Sequence, residues 1–231
     1  MNNFKNDIKV EKEVGKFLDK YLYSKIEKKY PVNFIRTEDE DIRKQKRGVD
    51  ITAEFDGNKK LYIDEKAATD YIDQDLDTFV LEISFVKDGR VKNGWFIKEG
   101  MDTQAYLFNY IKSEKNDKKL KKFEDIKEVE SILVDKSEII NFYNKKNLSR
   151  KKMKNAARKI RNKNWKKAVN SKYLNLDLKD DQEIYFYYTP EDKKEEQPIN
   201  LLIPKIKLVE LSRSHYVIKK QNLKILKSLI K

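Results

Sequence analysis

Between Val49 and Ala67 the chain alternates apolar and polar residues on both sides of one turn, a pattern that few folds satisfy. Val49, Ile51, Ala53 and Phe55 fall on one face, and Asp50, Thr52 and Glu54 on the other. After Asp56-Gly57-Asn58, Leu61 and Ile63 repeat the apolar face, while Tyr62, Asp64 and Lys66 share the polar one. Centring the turn on Gly57 sets Ile51 opposite Ile63, Ala53 opposite Leu61 and Asp50 opposite Asp64. The two apolar faces then coincide, which predicts an antiparallel hairpin with one side against a core.

The same register puts two carboxylates across from each other, with a lysine two residues on. Like charges placed opposite each other cost stability unless something neutralises them. A divalent cation would do so. The chain has no Cys and a single His, His215, so zinc sites of the Cys/His kind, thiol nucleophiles and disulfides are excluded. An all-oxygen site points to Mg²⁺ or Mn²⁺, and Mg²⁺ takes one or two carboxylates together with waters and substrate phosphate. Lys66 would then orient or deprotonate an attacking water and stabilise transition-state charge. The plainer alternative is an amphipathic hairpin whose polar face meets water.

Charge supplies a second constraint. The 52 Lys and Arg exceed the 39 Asp and Glu by thirteen, and no acid occurs between Glu138 and Asp177. That interval holds thirteen bases: Lys145, Lys146, Arg150, Lys151, Lys152, Lys154, Arg158, Lys159, Arg161, Lys163, Lys166, Lys167 and Lys172. Interleaved with Phe142, Tyr143, Trp165 and Tyr173, they are what a polyphosphate backbone attracts by counterion release. A solvated lysine-rich helix face is the bland alternative, but such faces usually carry Glu to Lys pairs four apart. An anionic membrane surface would require a stronger apolar stripe than Met153, Ala156, Ala157, Ile160 and Ala168. Arg150, Lys151, Lys152, Lys154, Arg158, Lys159, Arg161, Lys163, Trp165, Lys166 and Lys167 are therefore the expected nucleic-acid contacts, with duplex DNA favoured over RNA and no membrane.

Elsewhere, Val10, Val14, Phe17, Leu18, Tyr21, Leu22 and Ile26 predict a helix over 5–29, stopped by Pro31. Strands are expected at Val32 to Arg36, Thr78 to Val86, Gly94 to Ile97, Ala105 to Ile111 and Val129 to Val134. A polar loop, TEDEDIRKQKRG, precedes the hairpin, and Lys115 to Lys122 forms a charged loop. Ser137 and Ser149 are expected to cap helices reaching about Asn147 and Lys167. Leu174 to Tyr188, turning at Asp180-Asp181, reads as a hairpin. The expected class is α/β or α+β: a mixed central sheet flanked by helices over 1–136, followed by a basic helical and β-hairpin part over 137–231. With no apolar leader at the N-terminus and no apolar run near 18 residues, a soluble cytoplasmic protein is expected.

The run GVDITAEF, a turn, then LYIDEKAA resembles the metal-binding hairpin of the PD-(D/E)XK nuclease superfamily, the restriction-endonuclease-like fold. The likeness covers roughly 5–113, and Val49 stands where the superfamily's name-giving Pro would be. It implies that Asp50 and Asp64 hold metal, that Lys66 activates water and that the Glu65 backbone carbonyl adds a ligand. An acid on the preceding helix, Glu11 ahead of Glu13, would assist; helical spacing does not separate the two. The implied activity is Mg²⁺-dependent hydrolysis of DNA phosphodiesters, in restriction, repair or phage defence. A homodimer would suit symmetric double-strand cleavage.

The competing reading is a non-catalytic DNA- or RNA-binding module on a similar fold, its aromatic residues stacking on unpaired bases. Nucleotide hydrolysis is disfavoured, since the six Gly form no phosphate loop. Glu82, in the apolar run VLEISFV, is a further candidate for the site, with a satisfied surface Glu as its alternative. Trp95 and Tyr106 read as core, and His215 as a surface or capping residue.

Overall fold

The computed structural model describes residues 3–38, 40–114, 120–165, 167–179 and 184–228. Helix α1 (Asn3–Leu18) runs through one π turn, Asp19–Tyr23, into α2 (Ser24–Glu27), so the expected helix forms with one widened turn. Strand β1 (Val32–Arg36) follows, and the polar loop contains a short helix, α3 (Ile42–Lys46), capped by the Asp41 carboxylate accepting from Lys44 N. Strands β2 (Ile51–Phe55) and β3 (Lys59–Ala67) form the hairpin in the expected register, Ile51 facing Ile63 and Ala53 facing Leu61. Next come β4 (Thr78–Lys87), β5 (Arg90–Asn93), β6 (Ala105–Ser113), β7 (Ile126–Asp135), α4 (Lys136–Lys145) and α5 (Arg150–Asn162). The chain continues through β8 (Lys167–Asn170), β9 (Tyr185–Tyr188), β10 (Ile199–Pro204), α6 (Lys205–Leu211), β11 (Ser212–Lys219) and β12 (Leu223–Lys227).

The class is α+β. Two compact units divide the chain, and neither is contiguous. The first unit comprises 1–77, 101–137 and 206–231, and holds a curled seven-stranded sheet of order β1-β2-β3-β6-β7-β11-β12. Only the β3/β6 pair in it is parallel. One face of α1, through Val10, Val14, Phe17 and Leu18, shares a buried core with Ile51, Ile63, Leu107 and Val129 of that sheet. At about 25 cal/mol per Å² of apolar surface, this packing is what fixes the helix on the hairpin.

The second unit, 78–100 and 138–205, has an antiparallel sheet of order β5-β4-β10-β9-β8. Helix α5 packs on β4 there, with Met153, Ala156, Ala157 and Ile160 buried. These units differ from a single break after residue 136. Strand β4, which carries β5 on its other edge, finds its partner in β10, and β11 finds its own in β7, pairings between segments more than a hundred or about eighty residues apart.

Four local expectations are corrected. Gly94 to Ile97 is a turn, because Gly94 N–H donates to Ile83 O at 2.8 Å and Ile97 N–H to Gly94 O at 3.2 Å; the strand is Arg90–Asn93. Ser137 stands inside α4 rather than capping it. Ser149 does cap α5, its hydroxyl accepting from Lys152 N at 3.4 Å, but the helix ends at Asn162. The hairpin arms are β8 and β9, with Leu174 in a 3₁₀ turn between them; Asp180-Asp181 and the first part of the charged loop at 115–119 lie outside the described residues.

Candidate active site

Pairing across the hairpin brings Asp50, just ahead of β2, beside Asp64 on β3. Asp50 N–H donates to Ile63 O at 2.9 Å, and the Asp50 carboxylate accepts from Glu65 N–H at 2.8 Å. The Lys66 ammonium donates to Asp64 in a salt bridge on the same face. Asp64 is buried, with 3% of its surface exposed. Two carboxylates and one ammonium thus share a site in which Asp64 is closed to water while Asp50 and Lys66 keep partial exposure.

Their electrostatics follow from that crowding. Burial first, then the neighbouring Asp64, push the Asp50 carboxyl up to about 6, against the pull of Lys66 and the Glu65 N–H. Burial would lower the Lys66 ammonium, yet Asp64, Asp50 and the more distant Glu11 together hold it above the ordinary lysine value. The acid that reaches the site electrostatically is therefore Glu11. Glu13 faces the other way: its carboxylate accepts from Lys16 Nζ at 2.7 Å and from Phe123 N–H at 2.8 Å.

A pH dependence follows for the metal-free protein. Because the folded value of Asp50 lies above its unfolded value near 4, the stability tied to this group is present below about pH 4 and is lost as pH rises through about 6. The loss is on the order of 3 kcal/mol. Thermal melts in EDTA should show the midpoint falling across this window, and Asp50→Asn should remove the fall; an unchanged profile in the variant would refute the assignment.

Gly48 makes the approach to Asp50 feasible. Its φ is +69°, and a Cβ there would lie 2.6 Å from Met101 Cε and from Thr103 Oγ1, and 3.4 Å from Asp64 Oδ2. Thr103 Oγ1 also donates to Gly48 O at 2.6 Å, and Arg47 pairs with Asp102. Gly48→Ala should therefore destabilise the fold by about 2 kcal/mol or more, combining left-handed strain with overpacking. Denaturant titration would measure this, and a change below about 0.5 kcal/mol would count against it.

Sequence reasoning used Glu65 only for its backbone carbonyl and missed what its side chain does. By alternation Glu65 lies on the apolar face with Leu61 and Ile63, and such an acid needs partners. It accepts from Arg36 Nη1 at 2.7 Å and from Tyr23 Oη at 2.6 Å. Arg36 also bonds the Asp19 carboxylate at 2.8 Å and Gly15 O at 3.2 Å. Asp19 and Tyr23 are the two ends of the π turn, which sets both on this cluster. One peptide therefore links the halves of the site: Glu65 N–H holds Asp50, and its side chain is clamped by Arg36.

The remaining candidates are distributed as follows. Arg150 and Lys154 pair with Glu99 at 3.4 and 3.5 Å. Lys152 and Lys159 donate to Asp177 O and Leu174 O, both at 2.8 Å. Arg161 bonds Gln197 O at 3.0 Å and Ser84 Oγ at 3.1 Å. Lys151, Arg158 and Lys163 are exposed, Trp165 is half-buried, Lys167 opens β8, and Lys166 lies outside the described residues. Five of the expected contacts thus also carry structural bonds. Glu82 is half-buried and accepts from Trp95 N–H at 3.4 Å in the second unit. Tyr106 is core, as expected. His215 is a correction: β11 is an interior strand, so His215 is buried and lies 2.9 Å from Glu130 Oε1.

No protein-family profile, characterised protein or solved structure matches the chain. Among the described residues no helix is long and apolar enough to cross a membrane.

Proposed function

We propose that this protein is a divalent-metal-dependent endonuclease acting on DNA in the cytoplasm, with a restriction-endonuclease-like core. The observation that carries this reading is the gathering of Asp50, Asp64 and Lys66 on one face of the β2–β3 hairpin, with Glu11 in electrostatic reach of Lys66.

The donor chemistry fits Mg²⁺ or Mn²⁺. No group of three or more Asp, Glu or His side chains is gathered as a metal cage among the described residues, and Mg²⁺ needs none. Asp50, Asp64 and the Glu65 carbonyl would hold the ion, and the Asp50 carboxyl, raised by burial and by Asp64, is a group a cation would favour in ionised form. When bound, the metal would polarise a phosphodiester oxygen and lower the pKa of a coordinated water.

The chain's own groups do the rest. Glu65 N–H and the Arg36 clamp fix the Asp50 carboxylate before substrate arrives, which removes reorganisation cost from the reaction. Lys66, held as an ammonium, is suited to orient the attacking water and to neutralise charge gathering on the phosphoryl oxygens, rather than to remove a proton. Glu11 is suited to accept a proton from the water. In the second unit the acid-free segment supplies phosphate contacts that position a strand without reading its sequence.

Supercoiled plasmid incubated with Mg²⁺ or Mn²⁺ should be nicked or linearised, and EDTA should abolish the reaction. Plasmid that stays intact while the protein binds it in a salt-sensitive manner would replace the enzyme with a binding module.

A further inference from the structure

The acid-free segment contains more than charge. Trp165 lies just beyond the C-terminus of α5 and is anchored there, its N–H donating to Ile160 O at 3.1 Å while Asn164 N–H donates to Arg161 O at 3.1 Å. Six residues on, the 3₁₀ turn Ser171–Leu174 is fixed from several sides. Asn170 Oδ1 accepts from Lys172 N–H at 2.9 Å, Ser171 N–H donates to Ile184 O at 2.8 Å, and Lys159 Nζ donates to Leu174 O at 2.8 Å.

Ser171 and Leu174 are buried, and between them Tyr173 is turned outward with 73% of its surface exposed. One exposed tyrosine is ordinary, but here a turn bonded from several sides holds the ring at the edge of a cleft that it shares with Trp165. Asn164, Trp165 and Tyr173, with Ala168 and Val169, line an open cleft of about 570 Å³. Lys163 Nζ lies 4.6 Å from the Trp165 ring centroid, and Lys172 is exposed beside Tyr173. The surroundings are thus cationic, and the segment offers no carboxylate to repel a phosphate.

We propose that this cleft is a binding site for an unpaired nucleobase of a DNA strand. The base would stack on Tyr173 and Trp165, and Lys163 and Lys172 would meet the flanking phosphates. Stacking suits any base, because every base has a π face, whereas phosphate attraction alone would need no aromatic ring. The proposal rests on the nucleic-acid reading of the second unit and adds to it a preference for unpaired over paired nucleotides.

Fluorescence polarisation with a labelled oligo(dT) strand and a labelled duplex of equal length, in EDTA so that no cleavage intervenes, tests it. Tyr173→Ala should weaken the single strand roughly 5- to 150-fold and leave the duplex within about twofold. Tyr173→Phe should retain the affinity and Tyr173→Leu should lose it, which separates a π face from apolar area. Abasic positions in the strand should weaken the wild type as Tyr173→Ala does. At its exposure Tyr173 is not needed for folding, and circular dichroism of each variant verifies this.

If the wild type binds the strand and Tyr173→Ala binds it equally well, the cleft takes no base and the proposal falls while the endonuclease reading stands. Binding of duplex alone has the same meaning. Binding of neither would overturn both.

Discussion

Lys66→Ala is expected to reduce metal-dependent plasmid cleavage roughly 10²- to 10⁴-fold, the range for removal of one positioned group that acts on the transition state. Lys66 is the cation seated on Asp64 at the hairpin, and its charge is held by Asp64, Asp50 and Glu11. The loss should fall on kcat, with affinity for DNA in EDTA changed by less than about threefold, because a group that acts on the reacting phosphate contributes mainly after binding. Removing the ammonium also leaves Asp64 buried without its partner, so a thermal melt must accompany the assay. Lys66→Gln, similar in length and still a donor, provides the second arm, and it should fold as the wild type does yet cleave as poorly as Lys66→Ala. Cleavage by either variant within threefold of wild type would remove Lys66 from the mechanism.

Arg36→Met is expected to destabilise the protein by about 3 kcal/mol, toward the lower end for breaking a buried ion pair because the Arg36 side chain keeps some solvent contact. Glu65 is the reason. Its side chain is only 12% exposed, and two of its three bonds come from the guanidinium, the third from Tyr23. Burial already raises the Glu65 carboxyl, and only Arg36 and Tyr23 oppose that rise. Losing Arg36 would leave a desolvated acid that must take up a proton or open the strand to water. Glu65→Gln in the Arg36→Met background should recover more than half of the loss, since the amide carries no charge to desolvate and can still accept from Tyr23. Urea titration of the four proteins gives the coupling directly. A loss below about 1 kcal/mol for Arg36→Met, or no recovery in the double variant, would show that the clamp is not what holds the Glu65 peptide beneath Asp50.

Much of this site was legible in the chain. The register of β2 on β3 needs only a period of two on each side of a short turn, and slipping it by one residue would turn Asp64 and Lys66 into the core. That Glu65 must find a partner was legible as well, because the same period puts it with Leu61 and Ile63. Which partner it finds was not. Arg36 lies twenty-nine residues away and Tyr23 forty-two, and a π turn inside an otherwise regular helix pattern leaves no mark on apolar spacing.

The choice between Glu11 and Glu13 shows the same limit. Both flank the apolar stripe of α1, and only the packing of Phe123, more than a hundred residues on, draws Glu13 away. The basic segment reads in sequence as one block of charge. In the fold, Arg150, Lys154 and Arg161 are bonded within the second unit, while Lys151, Arg158 and Lys163 stay exposed.

By itself the sequence determined the hairpin, the trio Asp50, Asp64 and Lys66, the amphipathic first helix and the location of the charge, because each depends on neighbours within a few residues. The tertiary structure alone decided how β4, β5, β11 and β12 are shared between two units, which helix acid is tied up by Phe123, and which polar side chains are clamped. Those choices depend on pairing and burial between distant segments, whose energies emerge only when the segments meet.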